Sequence, residues 1–318
     1  MTLLLGLHAG RYLLQTADRR LTYDDGGVHD DASNKQIVYR LKDGLFLLAY
    51  TGDAGIRGIP TDCWIVEQLL QHRFSREGLI GIRGRNSLRG GYGQHFIRLR
   101  DALTAELNRS MAFRRGGIEI VGLGMVGRNG WWAPVCFELA RRGAHYAINW
   151  SMDRDWRLRA KWLRDRGPGS FTCVFAPSSN ANSLSGQLRR ELRAHHQFDM
   201  DGMEKSLVET TRSTSQVDPR VGKDVLAVAV CLPLEQMGIR IRFYPGETES
   251  LGAGERPALY GPWMVGLSFI WAPQVLNVPQ KWTFEGIQLR YETMSPRAHL
   301  LPNQPFELSS LPRKPLPA

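Results

Sequence analysis

Cysteine is scarce in this chain: Cys63, Cys136, Cys173 and Cys231 are the four among 318 residues. Their spacings are long and irregular, with no C-x-x-C, which argues against a zinc cage and against a disulfide framework. Cys173 and Cys231 sit inside apolar runs and read as packed thiols of a reducing compartment. The eight histidines are scattered, with only His195 and His196 adjacent, and no H-E-x-x-H or comparable metal pair occurs. No metal and no cofactor is expected. Long hydrophobic runs are missing too. The longest, around residues 225–234, is interrupted by Pro233, whereas a spanning helix needs about twenty apolar residues. The opening MTLLLGLHAGRYLL has no basic start and is cut by Gly6 and His8, so it does not read as a signal peptide. A cytoplasmic protein without a membrane partner is the expectation.

What is present suits a globular protein. Hydrophobic residues make up 42% of the chain, and a chain of this length buries roughly three quarters of its extended surface, so its core needs no staples. Lys plus Arg is 41 against 31 for Asp plus Glu, a net charge of +10. Two basic clusters stand out: Arg83, Arg85 and Arg89 in a glycine-rich stretch, and residues 154–166, where Trp156 and Trp162 are interleaved with arginines. Basic residues with aromatics can bind nucleic acid through phosphate contact and stacking. No nucleic-acid motif accompanies either cluster, so both read first as solvated basic faces.

Hydrophobic patterning predicts strands at residues 3–8 and 11–17, and again at 36–41 and 45–50, where Lys42-Asp43-Gly44 is a hairpin turn. A helix follows from Pro60, with Ile65, Val66, Leu69 and Leu70 on one face. Residues 78–93 are glycine-rich and read as a loop. A second helix from Gln94 carries Phe96, Leu99, Leu103 and Leu107. Strands are predicted at 118–123, 131–139, 146–150 and 171–175, then a helix on Leu184, Leu188 and Leu192. Asp201 and Glu204 resemble a capping box opening another helix. Strands return at 225–232 and 239–243. Six of the 17 prolines fall between Pro296 and Pro317, the mark of a terminal arm. The chain divides into residues 1–245 and a C-terminal extension, 246–318. Hairpin links imply antiparallel strands, and two sheets between helix layers would bury these faces.

Gly122-Leu123-Gly124-Met125-Val126-Gly127 matches G-x-G-x-x-G after a strand. That motif holds a dinucleotide only where a helix starts at the glycines. Here Arg128-Asn129-Gly130 and then Trp131-Trp132-Ala133-Pro134 follow, so the segment reads as a hairpin and not as a nucleotide site.

The start of the chain carries a more specific constellation. Thr2 is small enough for Met1 to be removed by methionine aminopeptidases, leaving a threonine with a free α-amine. Such a residue holds its own nucleophile and base, the amine having an unperturbed pKa near 8. A threonine hydroxyl needs that base to attack an amide. Lys35 would lower the amine's pKa, and Asp18 would hold Lys35. A backbone N–H at Gly52 could stabilise the developing oxyanion.

These pieces, Thr2-Leu3-Leu4-Leu5-Gly6, Thr16-Ala17-Asp18-Arg19-Arg20-Leu21-Thr22, Asn34-Lys35-Gln36-Ile37 and Ala49-Tyr50-Thr51-Gly52-Asp53-Ala54, resemble the start of proteasome β-type subunits and their bacterial relatives, which are N-terminal nucleophile (Ntn) hydrolases. The resemblance is close over residues 2–55, loose to about residue 232 and absent beyond. It implies a four-layer αββα sandwich of two antiparallel sheets. It implies Thr2 as nucleophile, Asp18 and Lys35 as the charged pair, and Gly52 as oxyanion donor. Ser178, in Pro177-Ser178-Ser179, and Asp218 are similar to a later serine and aspartate of the family, with Val221 where a serine often follows. The function implied is amide-bond hydrolysis by a threonine-type peptidase on a peptide or protein substrate. Self-assembly into a ring or stack, and an ATP-dependent unfoldase as partner, follow from the same resemblance. A catalytically inactive, proteasome-like assembly or binding protein is the alternative, and nucleic-acid binding through the arginine-rich segments is the second.

Overall fold

The computed structural model describes residues 3–9, 12–22, 28–30, 34–71, 82–83, 90–111, 113, 116–128, 131–151, 170–175, 200–231, 238–244 and short strands between 263 and 305. Thr2, Ser178 and the helix expected on Leu184, Leu188 and Leu192 lie outside the described residues. Strands of the two main sheets, in chain order, are β1 (Leu4–Ala9), β2 (Tyr12–Asp18), β3 (Gln36–Leu41), β4 (Gly44–Gly52), β5 (Ile82–Arg83), β6 (Ile118–Arg128) and β7 (Trp131–Arg142). They continue with β8 (His145–Ser151), β9 (Ser170–Phe175), β10 (Val225–Cys231), β11 (Gly238–Tyr244), β12 (Gln274–Leu276) and β13 (Thr283–Glu285). The helices are α1 (Thr61–Leu70), α2 (Tyr92–Arg109) and α3 (Met200–Val217).

The protein is α+β with predominantly antiparallel sheets. Sheet I runs β9-β1-β2-β10-β11-β13 and sheet II runs β8-β7-β6-β4-β3-β12-β5. β1 and β2 pair in register, Leu4 with Ala17, and β3 and β4 close tightly with Leu41 opposite Gly44. Both are the expected hairpins. β12 and β13 come from beyond residue 245, and each adds a parallel pairing, to β3 and to β11.

Leu45 to Tyr50 of β4 are all buried, because both faces of the strand are covered, and an unbroken apolar run is the sequence signature of that situation. On one face of sheet II, α1 and α2 pack through Trp64, Phe96, Leu99 and Leu103. Phe96 lies 4.5 Å from Phe137 and 4.8 Å from Phe46, ring centre to ring centre. The glycines of the G-x-G-x-x-G segment make this packing possible. A Cβ on Gly122 would sit 2.0 Å from the Phe137 ring, and one on Gly124 would sit 2.5 Å from Phe46 and from the Leu45 carbonyl. The segment is the middle of strand β6, paired from Ile120–Leu139 to Arg128–Trp131 with β7. On sheet I, α3 packs Met203 and Leu207 against Leu3, Leu5, Leu7 and Leu14. Asp201 and Glu204 lie in the first turns of α3 and face β11: Arg242 donates to Asp201 at 2.8 Å and the Tyr244 hydroxyl to Glu204 at 2.5 Å. The facing sides of the two sheets meet at Leu4, Ala17, Ala49 and Val121.

The cysteine spacing argued against a disulfide framework, yet one cysteine is cross-linked. Cys63 is buried on α1, and Cys136 is disulfide-bonded. Spacing along the chain carries no information about which strands lie face to face. Among the described residues no helix is long and apolar enough to cross a membrane.

One buried polar contact lies between sheet II and α2. The Tyr39 hydroxyl is 2.8 Å from Nδ1 of His95, and both residues are almost wholly buried. Burial, and then the nearby Arg98 guanidinium, hold the His95 pKa below its ordinary 6.5. The unfolded chain therefore takes up a proton near pH 6.5 that the folded chain refuses, so this contribution to stability is complete above that pH and is lost as pH falls. Urea unfolding between pH 7 and pH 5 should show stability dropping more steeply for the native chain than for His95→Gln. Parallel profiles would contradict the assignment.

Candidate functional site

Strand β2 ends at Asp18, and Asn34 and Lys35 lie just before β3. The two ends meet across the sheets. Lys35 Nζ lies 3.2 Å from Asp18 Oδ2, with the side chains 1% and 0% exposed. An isolated buried charge is costly, and such a pair persists only when its remaining hydrogen-bonding capacity is met. Here it is met closely. Asp18 Oδ1 accepts the Leu3 N–H at 2.8 Å, and Oδ2 accepts those of Arg20 at 3.2 Å and Gly222 at 3.1 Å. The ammonium also donates to the Arg20 carbonyl at 2.5 Å.

The neighbours of Lys35 are fixed as tightly. Asn34 donates to the Gln36 carbonyl and to Asp62 of α1, both at 3.0 Å, and accepts the Gln36 N–H. The Tyr50 hydroxyl donates to the Asn34 carbonyl, and the Tyr50 N–H to the Lys35 carbonyl. β3 is thus tied to β4 and to the first turn of α1 on either side of the ammonium.

Gly52 closes β4, two residues beyond the register partner of Lys35, at the same end of sheet II. Its φ of +103° favours glycine, and a Cβ there would lie 2.2 Å from the Gly117 carbonyl oxygen. The turn that follows is locked by the Asp53 N–H to the Gly117 carbonyl at 2.9 Å and by the Thr61 hydroxyl to the Asp53 carbonyl at 2.6 Å.

Asp218 stands apart from this cluster. Both its oxygens accept from Arg220, at 2.9 and 2.8 Å, and the guanidinium holds its carboxyl below the usual range. Its connection to the pair is through the backbone. The turn from Asp218 carries the Gly222 N–H to Asp18, and Arg20 Nη1 anchors the turn by donating to the Pro219 carbonyl at 2.8 Å. Val221 is buried among Leu3, Leu5 and Leu7, so an apolar residue at that position serves packing.

Asp18, Lys35 and Gly52 therefore lie at one end of the two sheets, while Thr2 and Ser178 fall outside the described residues. Sequence reasoning passed over Asn34, the Arg20 carbonyl and Gly222. Backbone donors leave no residue-type signature. At Gly222 the structure leaves no room for a side chain, since a Cβ there would press to 2.8 Å from the Arg20 Cβ. Among the described residues no group of three or more His, Cys, Asp or Glu could hold a metal ion.

No family model matches the chain, and no curated protein matches it. Solved structures similar to it include a Gly-1 mutant of Anbu from Hyphomicrobium sp. strain MC1, 14% identical over 72% of this chain and 80% of that one, with a TM-score of 0.43. Anbu from Yersinia bercovieri, titled an ancestral β-subunit, is 12% identical over 78% of this chain and 88% of that one, with a TM-score of 0.47. The family assignment drawn from residues 2–55 is corrected accordingly. No model of proteasome β subunits or of any other family matches, and the two structures named above are Anbu chains of low identity. The four motifs behind that assignment specify one end of two antiparallel ribbons and constrain little of the chain that follows.

Removing one member of a buried pair leaves the other uncompensated. Asp18→Asn or Lys35→Met should each lower unfolding stability by about 3–5 kcal/mol, measured by urea denaturation. The double variant should cost clearly less than the sum, because the two residues are in contact. Strict additivity would show that the contact does not form.

Proposed function

We infer that the protein is an amide-bond hydrolase whose nucleophile is Thr2, exposed with a free α-amine once Met1 is removed. The observation that carries this reading is the Leu3 N–H bound to Asp18, whose other oxygen holds the Lys35 ammonium. Leu3 is joined to Thr2 by one peptide bond, and this supports a role for Thr2 beside the carboxylate that binds the buried cation. In this reading the α-amine takes the Thr2 hydroxyl proton and the hydroxyl oxygen attacks the substrate carbonyl carbon. The Gly52 N–H stabilises the oxyanion, the amine returns the proton to the leaving nitrogen, and water then hydrolyses the ester. Lys35 and Asp18 set the electrostatics of the amine, and the turn from Asp218 supports Asp18. Ser178 is carried as a further member of the site.

Several companions belong to the same proposal: a four-layer αββα sandwich, a peptide or protein substrate, self-assembly into a ring or stack, delivery by an ATP-dependent unfoldase, a cytoplasmic location, and division of the chain at residue 245. A second reading, a catalytically inactive assembly or binding protein, is favoured by one feature. Lys35 and Asp18 are held by backbone and side-chain groups that would serve equally well as a structural staple.

Intact mass and a peptide-hydrolysis panel separate the two. The enzyme reading expects a chain lacking Met1 and a loss of at least about a thousandfold in turnover for Thr2→Ala, with unfolding stability unchanged. A mature chain that keeps Met1, or a Thr2→Ala variant with undiminished activity, contradicts it.

A further inference from the structure

We propose that the disulfide partner of Cys136 is Cys173, so that a covalent bridge joins sheet II to sheet I. Cys136 is disulfide-bonded and almost completely buried. Strand register identifies its partner. In sheet II, Leu123 is paired with both Cys136 and Leu47, so the three form one cross-strand row on β7, β6 and β4. In sheet I, Gly6 is paired with both Cys173 and Gln15, a row on β9, β1 and β2. The Gln15 side chain donates to the Leu47 carbonyl at 3.3 Å, which lays one row against the other. β2 touches β4 and β6, and β1 touches β6. One further step outward in each sheet sets β9 opposite β7, with positions 173 and 136 at the same level.

The faces agree as well. Residues directly opposite share a face, and alternate residues of a strand return to it. Leu4 and Ala17 look toward Ala49 and Val121, so Gly6 and Gln15, and likewise Leu47 and Leu123, belong to the inner faces. Positions 173 and 136 are in those same rows. The other two cysteines are elsewhere. Cys63 lies on α1, beyond the outer face of sheet II. Cys231 follows Ala229 by two residues, and Ala229 packs with Leu207 of α3 on the outer face of sheet I. A disulfide needs Cα atoms about 4.4–6.8 Å apart, closer than the roughly 10 Å between facing sheets. Gly6, Ala17 and Ala49, all small and all on the inner faces, allow that approach.

Formation removes two protons and two electrons from the thiols. With a low-molecular-weight disulfide as oxidant, exchange gives one protein disulfide and two small thiols. The bridge closes a covalent loop that contains the arginine- and tryptophan-bearing residues 154–166. It does not depend on whether the chain is an enzyme.

The test is disulfide mapping of the full-length chain, equilibrated with oxidised glutathione, alkylated in denaturant without reductant and digested. The expected result is a linked peptide pair containing Cys136 and Cys173, separated by reduction, with Cys63 and Cys231 alkylated. Cys173→Ser should expose Cys136 to alkylation, while Cys231→Ser should leave it protected. Reductant should lower the melting temperature of the native chain by roughly 5–15 °C and leave that of Cys173→Ser unchanged. Cys136 linked to Cys231, or alkylated without reductant, overturns the assignment. Mapping of the native chain decides the matter even if Cys173→Ser fails to fold.

Discussion

A carboxylate from one sheet and an ammonium from the other meet in the interior, and the arrangement at this end of the molecule follows from that contact. Neither charge could be placed there alone. Asp18 comes from the end of β2 and Lys35 from the start of β3, so the pair fixes how the two sheets sit relative to each other at this edge. Three backbone N–H groups from three separate segments, at Leu3, Arg20 and Gly222, share the carboxylate. The chain start, the β2 exit and the turn before β10 are thereby brought to one point.

This convergence gives the functional reading its physical content. In the proposed reading a buried ammonium held beside Leu3 acts on a terminal amine, and Gly52 supplies the backbone donor. Terminal-nucleophile chemistry needs both, and the proposal gives that use to a pair whose burial is otherwise costly. The same pair also braces the sheets, and a brace alone needs no substrate. Fold likeness does not decide between these roles, because function resides in the site and not in the fold.

Much of the fold could be read from the residues. The hairpins at β1–β2 and β3–β4 follow from apolar runs around short turns, and α2 from the spacing of Phe96, Leu99, Leu103 and Leu107. Gly122 to Gly127 could be recognised as part of a hairpin because Asn129-Gly130 and Pro134 exclude a helix there, although the strand runs on to Arg128. Other parts left no local trace. β12 and β13 are three residues each, too short for a period, and they depend on long-range pairing. The Tyr39–His95 contact joins residues 56 positions apart. Asp18 and Lys35 were legible as a pair, whereas the backbone donors that make their burial tolerable were not, since any residue can supply them. The family assignment failed for a related reason: short motifs report the local geometry of one ribbon end, and many chains can share that.

Covalent capture addresses the central claim most directly. The full-length protein is treated with an electrophilic β-lactone, and the modified peptide is located by mass spectrometry. One adduct is expected, an ester on the Thr2 hydroxyl of a chain that begins at Thr2, formed by opening of the lactone ring with no group lost. A chain that remains unmodified at Thr2, or carries its adduct on another residue, would contradict a nucleophile at the start of the chain.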